Sequence, residues 1–122
     1  MTSKRLVALA CAASLAACAS TQAKATAQAD AVTRAVYADD VADVTSRLDP
    51  GVAAVVTRGE VGTLSDKMHA LGTYHGLQSI AGTMPANEFT YQAVFDKGTM
   101  IVVVRIDPNG KLGAYRVVPQ RR

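Results

Sequence analysis

The sequence predicts an α+β domain in which helices come first and a four-stranded antiparallel sheet follows. Three observations carry this prediction. Apolar residues recur at helical spacing from Asp30 to Leu71, the period changes to two after Gly72, and Asp107-Pro108-Asn109-Gly110-Lys111 has the make-up of a tight turn between two such runs.

The helical part divides at its breakers. From Asp30 to Leu48 the stripe Tyr37, Val41, Val44 and Leu48 has spacings of four, three and four, which points one face at a core. Val32 and Val36 fall on another angle, so a bend is expected near Ala38-Asp39-Asp40, with Asp39 or Asp40 capping a second short helix. Asp49-Pro50-Gly51 stops that helix. Val52 to Thr57 adds one or two apolar turns, and Arg58-Gly59 breaks again. Glu60 to Leu71 carries Val61, Leu64, Met68 and Leu71 on one face, and Gly72 stands where a helix end needs a left-handed residue.

Four strands follow: Tyr74 to Thr83, Asn87 to Phe95, Thr99 to Asp107, and a last one from Lys111 to Val118, closed by Pro119. With a two- or four-residue connection at Asp96-Lys97-Gly98-Thr99, Phe95 is expected to face Met100, and Phe89, Tyr91, Ala93 and Phe95 share a side with Met100, Val102, Val104 and Ile106. At the next turn Gly110 takes the left-handed position and Asp107 pairs with Lys111, so Ile106 meets Leu112 and Val104 meets Ala114. Continued without a bulge, that ladder puts Arg116 beside Val102 on the core side. It leaves Val94, Ile101, Val103, Tyr115 and Val117 as an apolar patch on the other face.

Composition narrows the function classes. Of 13 Lys and Arg, Lys4 and Arg5 lie in the N-terminal segment, leaving 11 basic against 10 acidic side chains. No basic stripe interleaved with aromatics is present, so nucleic-acid binding is not expected. The two cysteines, Cys11 and Cys18, lie in the first 18 residues, which removes a disulfide framework and a thiolate zinc site from the domain. His69 and His75 are six apart rather than four, so no metal site and no cofactor are expected.

Residues 1–17 have the parts of an export signal: Lys4 and Arg5, the apolar run Leu6 to Ala17, and small residues before Cys18. The run is shorter than the roughly 20 residues that span a bilayer. Leu15-Ala16-Ala17-Cys18 resembles the lipobox of bacterial lipoproteins at all four positions. That resemblance implies cleavage between Ala17 and Cys18, lipidation of Cys18 with palmitate-type chains, and, with Ala19 rather than Asp next, an outer-membrane anchor facing the periplasm. A conventional signal cut after Ala17 or Ala19 is the competing reading. Residues 18–28, rich in Ala, Ser, Thr and Gln, suit a short lipidated tether, although they are also able to join the first helix. The domain then spans 29–119, with a basic tail at 120–122.

A second resemblance rests on Leu48-Asp49-Pro50, Leu71-Gly72, Phe95-Asp96-Lys97-Gly98, the run Met100 to Ile106, Asp107-Pro108-Asn109-Gly110-Lys111-Leu112 and Pro119. Over about Asp30 to Pro119 the chain looks like a small bacterial domain of unknown function in the nuclear-transport-factor-2-like, cystatin-like superfamily. The resemblance implies a curved sheet closed by the helices into a cone with a cavity, and pairing of copies through the outer sheet face. Those motifs are turns, caps and core positions, so they imply a fold and no reaction.

The expected cavity residues are Tyr37, His69, Tyr74, Tyr91, Phe95 and Arg116, and the expected interface is Val94, Ile101, Val103, Tyr115 and Val117. Arg116 in a core would need an acidic partner or an anionic ligand; a bulge that sends it to solvent is the simpler alternative. Neither histidine has a Ser, Cys or carboxylate at a diagnostic spacing, and Thr63-Leu64-Ser65-Asp66 and the acids Asp39, Asp40 and Asp43 read as helix surface, so no catalytic residue is assigned. The leading expectation is a membrane-anchored, non-catalytic binding or interaction module, with a second copy or an envelope protein as partner. The alternative is a small cavity enzyme of isomerase or hydratase type.

Overall fold

The computed structural model describes residues 22–80 and 87–119. The signal, Ala17, Cys18, the basic tail and the expected end of the first strand at residues 81–83 lie outside the described residues. Helix α1 is described over 22–37 and is followed by α2 (Val41–Ser46), α3 (Pro50–Ala53) and α4 (Arg58–Ala70). Strands β1 (Tyr74–Ser79), β2 (Glu88–Phe95), β3 (Thr99–Ile106) and β4 (Leu112–Pro119) form one antiparallel sheet in the order β1-β2-β3-β4. The helices cover one sheet face, and the α+β order expected from the sequence is the order found.

Helix α1 is longer at its start than the stripe from Asp30 suggests. Residues 22–28, expected as tether, are helical, and Ala25 and Ala29 are fully buried. Alanine has the best helix propensity, and a run of small residues lets a helix lie close on a sheet, so a composition that suits a linker also suits a buried helix face. The inward row is Ala25, Ala29, Val32 and Val36, with spacings of four, three and four. Tyr37, Val41, Val44 and Leu48 also face the core, but from α1, α2 and the α2–α3 connection.

The break falls at Asp39, whose φ of 56° is left-handed. The amide of Asp40 bonds the Ala35 carbonyl and that of Asp39 bonds Val36, which closes α1 in a Schellman motif with Asp in the place usually taken by Gly. Asp40 caps α2 through the amide of Asp43 at 3.1 Å. Thr57 caps α4 in the same way through Glu60. Gly72 ends the helical half with φ of 93°.

The β2–β3 hairpin turns through Asp96-Lys97, with the Phe95 amide bonded to Gly98. Ala93 stands opposite Met100, Tyr91 opposite Val102 and Phe89 opposite Val104. The face assignment is as expected, and the turn is the two-residue form, so Phe95 faces Gly98 rather than Met100. Across β3–β4, Asp107 pairs with Lys111 and Ile106 with Leu112 as expected. The ladder then slips, and Arg105 stands opposite Ala114, Val104 opposite Tyr115 and Val103 opposite Arg116.

Gly113 is the extra residue of this bulge. Its carbonyl accepts from Arg105 Nη2 at 2.9 Å, and a Cβ there would come within 2.7 Å of the same nitrogen. Leu112 is held on its other side by the α2–α3 connection. Its amide bonds the Arg47 carbonyl, and its carbonyl accepts from Asp49 at 2.9 Å. One added residue reverses the facing of everything after it.

Candidate functional site

The helix–sheet interface carries a polar row beside its apolar one. Thr26, Asp30, Thr33 and Tyr37 repeat at four, three and four along α1, and each takes part in a bond to the sheet side. Tyr91 on β2 meets Thr26 at 3.0 Å, Tyr74 on β1 donates to Asp30 Oδ1 at 2.7 Å, and Tyr115 on β4 meets Thr33 at 2.8 Å. Tyr37 itself donates to the Gly72 carbonyl at 3.3 Å. The four tyrosines of the chain are thus all bonded between α1 and the strands or their loops. Thr26 and Thr33 each donate their single proton to a helix carbonyl four residues back, at Gln22 and Ala29, so Tyr91 and Tyr115 are the donors.

Burial decides the protonation of these phenols. It pushes Tyr115 and Tyr91 above the ordinary tyrosine range. Burial, and then the Asp30 carboxylate, does the same to Tyr74. All three are held as neutral donors. Asp30 is engaged at both oxygens, by Tyr74 and by Arg34 Nε at 2.9 Å, and the Arg34 guanidinium lies 5.1 Å above the Tyr74 ring. Every buried side-chain nitrogen or oxygen among the described residues has a partner.

Of the residues expected in a cavity, four come together at the C-terminal end of α1. The rings of Tyr37 and His69 stack at 4.0 Å, and Tyr37, Tyr74 and Phe95 lie within 6.4 Å of one another, Tyr74 and Phe95 at 5.5 Å. His69 Nε2–H donates to the Tyr37 carbonyl at 2.8 Å, and Ser65 donates to the same oxygen at 3.0 Å, so this histidine caps a helix end. Tyr91 is 1% exposed and lies toward the other end of the interface, against Thr26. Tyr37, Tyr74, Tyr91 and Phe95 are packed into or against the core rather than ranged around a space, and His69 lies exposed at its edge.

Arg116 is a correction. The bulge at Gly113 turns it to the outer sheet face, exposed and opposite Val103. The same slip brings Tyr115 and Val117, expected on the outer patch, round to the helix side, where both pack against the core. Val94, Ile101 and Val103 do lie on the outer face, half-buried, and Val118, which stands opposite Ile101, joins them with 41% exposed.

Sequence reasoning missed the partners Thr26, Asp30 and Thr33. Their repeat alongside Ala25, Ala29 and Val32 was a usable signal, but its start at Ala25 and Thr26 falls in residues 18–28, read as tether. It also missed the clasp at the far end of the sheet. Asp96 accepts from His75 Nε2 and from the Thr73 amide at 2.9 Å, and these bonds hold its carboxyl below the usual carboxylate range, the histidine bond first. His75 is the extra residue where β1 bulges between Tyr74 and Gly76.

Between α1 and β1 runs an open groove of about 700 Å³, lined by Gln22, Ala23, Thr26, Ala27, Asp30, Arg34, Gly76 and Leu77. No group of three or more His, Cys, Asp or Glu among the described residues is placed to hold a metal ion. Among the same residues no helix is long and apolar enough to cross a membrane. No family model, curated protein or solved structure matches the chain.

Proposed function

We propose that this chain is a lipid-anchored lipoprotein of the outer membrane, facing the periplasm, whose domain is a non-catalytic interaction module of the small cystatin-like kind. The anchor reading rests on Leu15-Ala16-Ala17-Cys18. Two acyl chains suffice for stable anchoring, because each buried methylene contributes about 0.8 kcal/mol and one chain alone is marginal.

The observation that carries the interaction reading is the division of the sheet. The helix side is filled by partnered side chains, whereas Val94, Ile101, Val103 and Val118 lie on the outer face and outside the core cluster. A second copy or an envelope protein is the occupant this face suits. An apolar patch edged by Arg105 and Arg116 buries surface at its centre and keeps charge at its rim.

Replacing Cys18 by Ser removes acyl labelling and releases the chain from membranes; unchanged labelling and fractionation defeats the anchor. Val103→Glu places a carboxylate beside Arg116, so the monomer tolerates it while self-association weakens in sedimentation. A monomeric parent protein excludes the second copy, and an unchanged envelope crosslinking pattern for the variant excludes this face.

The Asp30–Tyr74 pair at the groove favours the second reading, a small cavity enzyme of isomerase or hydratase type. Its carboxylate would act on a substrate laid between α1 and β1. In the structure both oxygens of Asp30 are engaged, which leaves that role to whatever ligand displaces Arg34. Turnover that survives Asp30→Asn excludes this reading.

A further inference from the structure

The anchor fixes which end of the domain meets the bilayer. The chain is helical by residue 22, four residues after Cys18, and Ala25 is already fully buried against the sheet. Four residues span at most about 14 Å however they are arranged. The stretch expected to be a tether of 11 residues, 18–28, therefore gives the domain far less freedom than its composition suggests.

The elements that share this end with the start of α1 are identified by their bonds. Thr26 meets Tyr91, and Tyr91 stands opposite Ser79, so the end of β1 is here. Gln28 Nε2 donates to the Gly110 carbonyl at 3.2 Å, which places the β3–β4 turn here as well. The opposite end holds the C-terminus of α1, where Tyr37 bonds Gly72 and the Lys97 amide bonds the Leu71 carbonyl. Fifteen helical steps from residue 22 to Tyr37 separate the two ends by about 23 Å.

The near end presents Ile80, a large apolar side chain left 40% exposed, together with the exposed cations Lys24 and Lys111. An exposed apolar side chain and ammonium groups at one end of the domain suit the headgroup boundary of a bilayer, where the stem is buried and the charge meets phosphate; Lys111 also donates to the Ser46 carbonyl at 3.2 Å.

We propose that this end, with Ile80, Lys24 and Lys111, rests on the lipid surface, and that the Asp96–His75 end points into the aqueous compartment. The open sheet face then stands side-on to the membrane, accessible to partners held in the same plane. The inference rests on the lipid-anchor reading above.

The chain contains no tryptophan, so a single one reports its position. The lipidated full-length protein, carrying Ile80→Trp, Lys24→Trp or Lys97→Trp, is bound to phosphatidylethanolamine–phosphatidylglycerol vesicles doped with headgroup-dansylated lipid. Energy transfer to dansyl is then measured, with the urea midpoint of each variant checked against the parent. The expected result is several-fold greater transfer from the two near-end variants than from Lys97→Trp. Ten Gly-Ser residues inserted after Ala19 should bring the Ile80→Trp signal down toward the Lys97→Trp level. Equal transfer from both ends of a protein that floats with the vesicles, or a signal unchanged by the insertion, overturns the orientation and leaves the anchor standing. A protein that neither floats nor takes acyl label removes both.

Discussion

The two hairpins that share β3 were built by different rules. In β2–β3 the alternation is complete on both strands: Phe89, Tyr91, Ala93 and Phe95 face the same way as Met100, Val102 and Val104, and any odd slip would bring the aromatics out of the core. In β3–β4 the sequence Leu112-Gly113-Ala114-Tyr115-Arg116-Val117-Val118 has apolar residues at both parities, so alternation alone does not choose between them. The structure uses both: Leu112 faces in before the bulge, and Tyr115 and Val117 face in after it. A strand whose two faces are both half-apolar takes its register from a backbone device, here Gly113 with Arg105 across it.

The sharpest way to break that comparison is to insert one alanine after Gly113. With the single bulge kept, the insertion moves Arg116 opposite Val102, turning it toward the helices, and sends Tyr115 and Val117 out. A buried, unpartnered guanidinium is expected to cost about 3–5 kcal/mol, read as a large fall in the urea midpoint or loss of the cooperative transition. A midpoint close to the parent's would show that β4 takes up the added residue without a change of facing.

The in-register hairpin is vulnerable at its docking instead. Gly72 has a φ of 93°, and a Cβ there would lie 2.7 Å from the Asp96 Cβ, so Gly72→Ala adds strain to a clash and is expected to cost about 2–3 kcal/mol in equilibrium unfolding.

A smaller contrast separates two hydroxyls. Tyr115→Phe leaves the fully buried Thr33 oxygen without its donor and should cost about 1–2 kcal/mol, whereas Tyr91→Phe leaves the half-exposed Thr26 free to take water and should cost less. Equal losses would mean that the helix reads the two hairpins alike.

The smallest effect belongs to Asp96. Its pKa is lowered in the folded state, so its contribution is present above the unfolded value near ~4 and is lost as pH falls through the folded value. Stability curves of the parent and Asp96→Asn proteins against pH should therefore differ at neutral pH and converge below about pH 4. The buried phenols act at the other extreme. Their raised values make stability fall once pH climbs past about 10, so Tyr74 and Tyr115 should ionise only as the protein unfolds in an alkaline absorbance titration.

What the sequence disclosed followed the same physical division. Helix ends were legible because Asp40, Pro50 and Gly72 each solve a local backbone problem, and β2 and β3 were legible because their pattern is strict. The inner side of α1 was not, because Ala25 and Ala29 are compatible with linker and helix alike, and only packing chooses. Four of the six expected cavity residues do come together, as a packed aromatic cluster. Arg116 was placed by a ladder that one residue shifts, and the sequence carries no mark of that shift except a glycine among many.

The polar row of α1 also determines how the molecule bears load. A pull on the N-terminus of α1 along its axis enters at Thr26–Tyr91 and Gln28–Gly110 and passes on to Asp30–Tyr74, Thr33–Tyr115 and Tyr37–Gly72. Loaded in shear, bonds to strands β1, β2 and β4 and to their turns share the force instead of opening one after another. A domain held by its first helix is in this way held by the whole sheet.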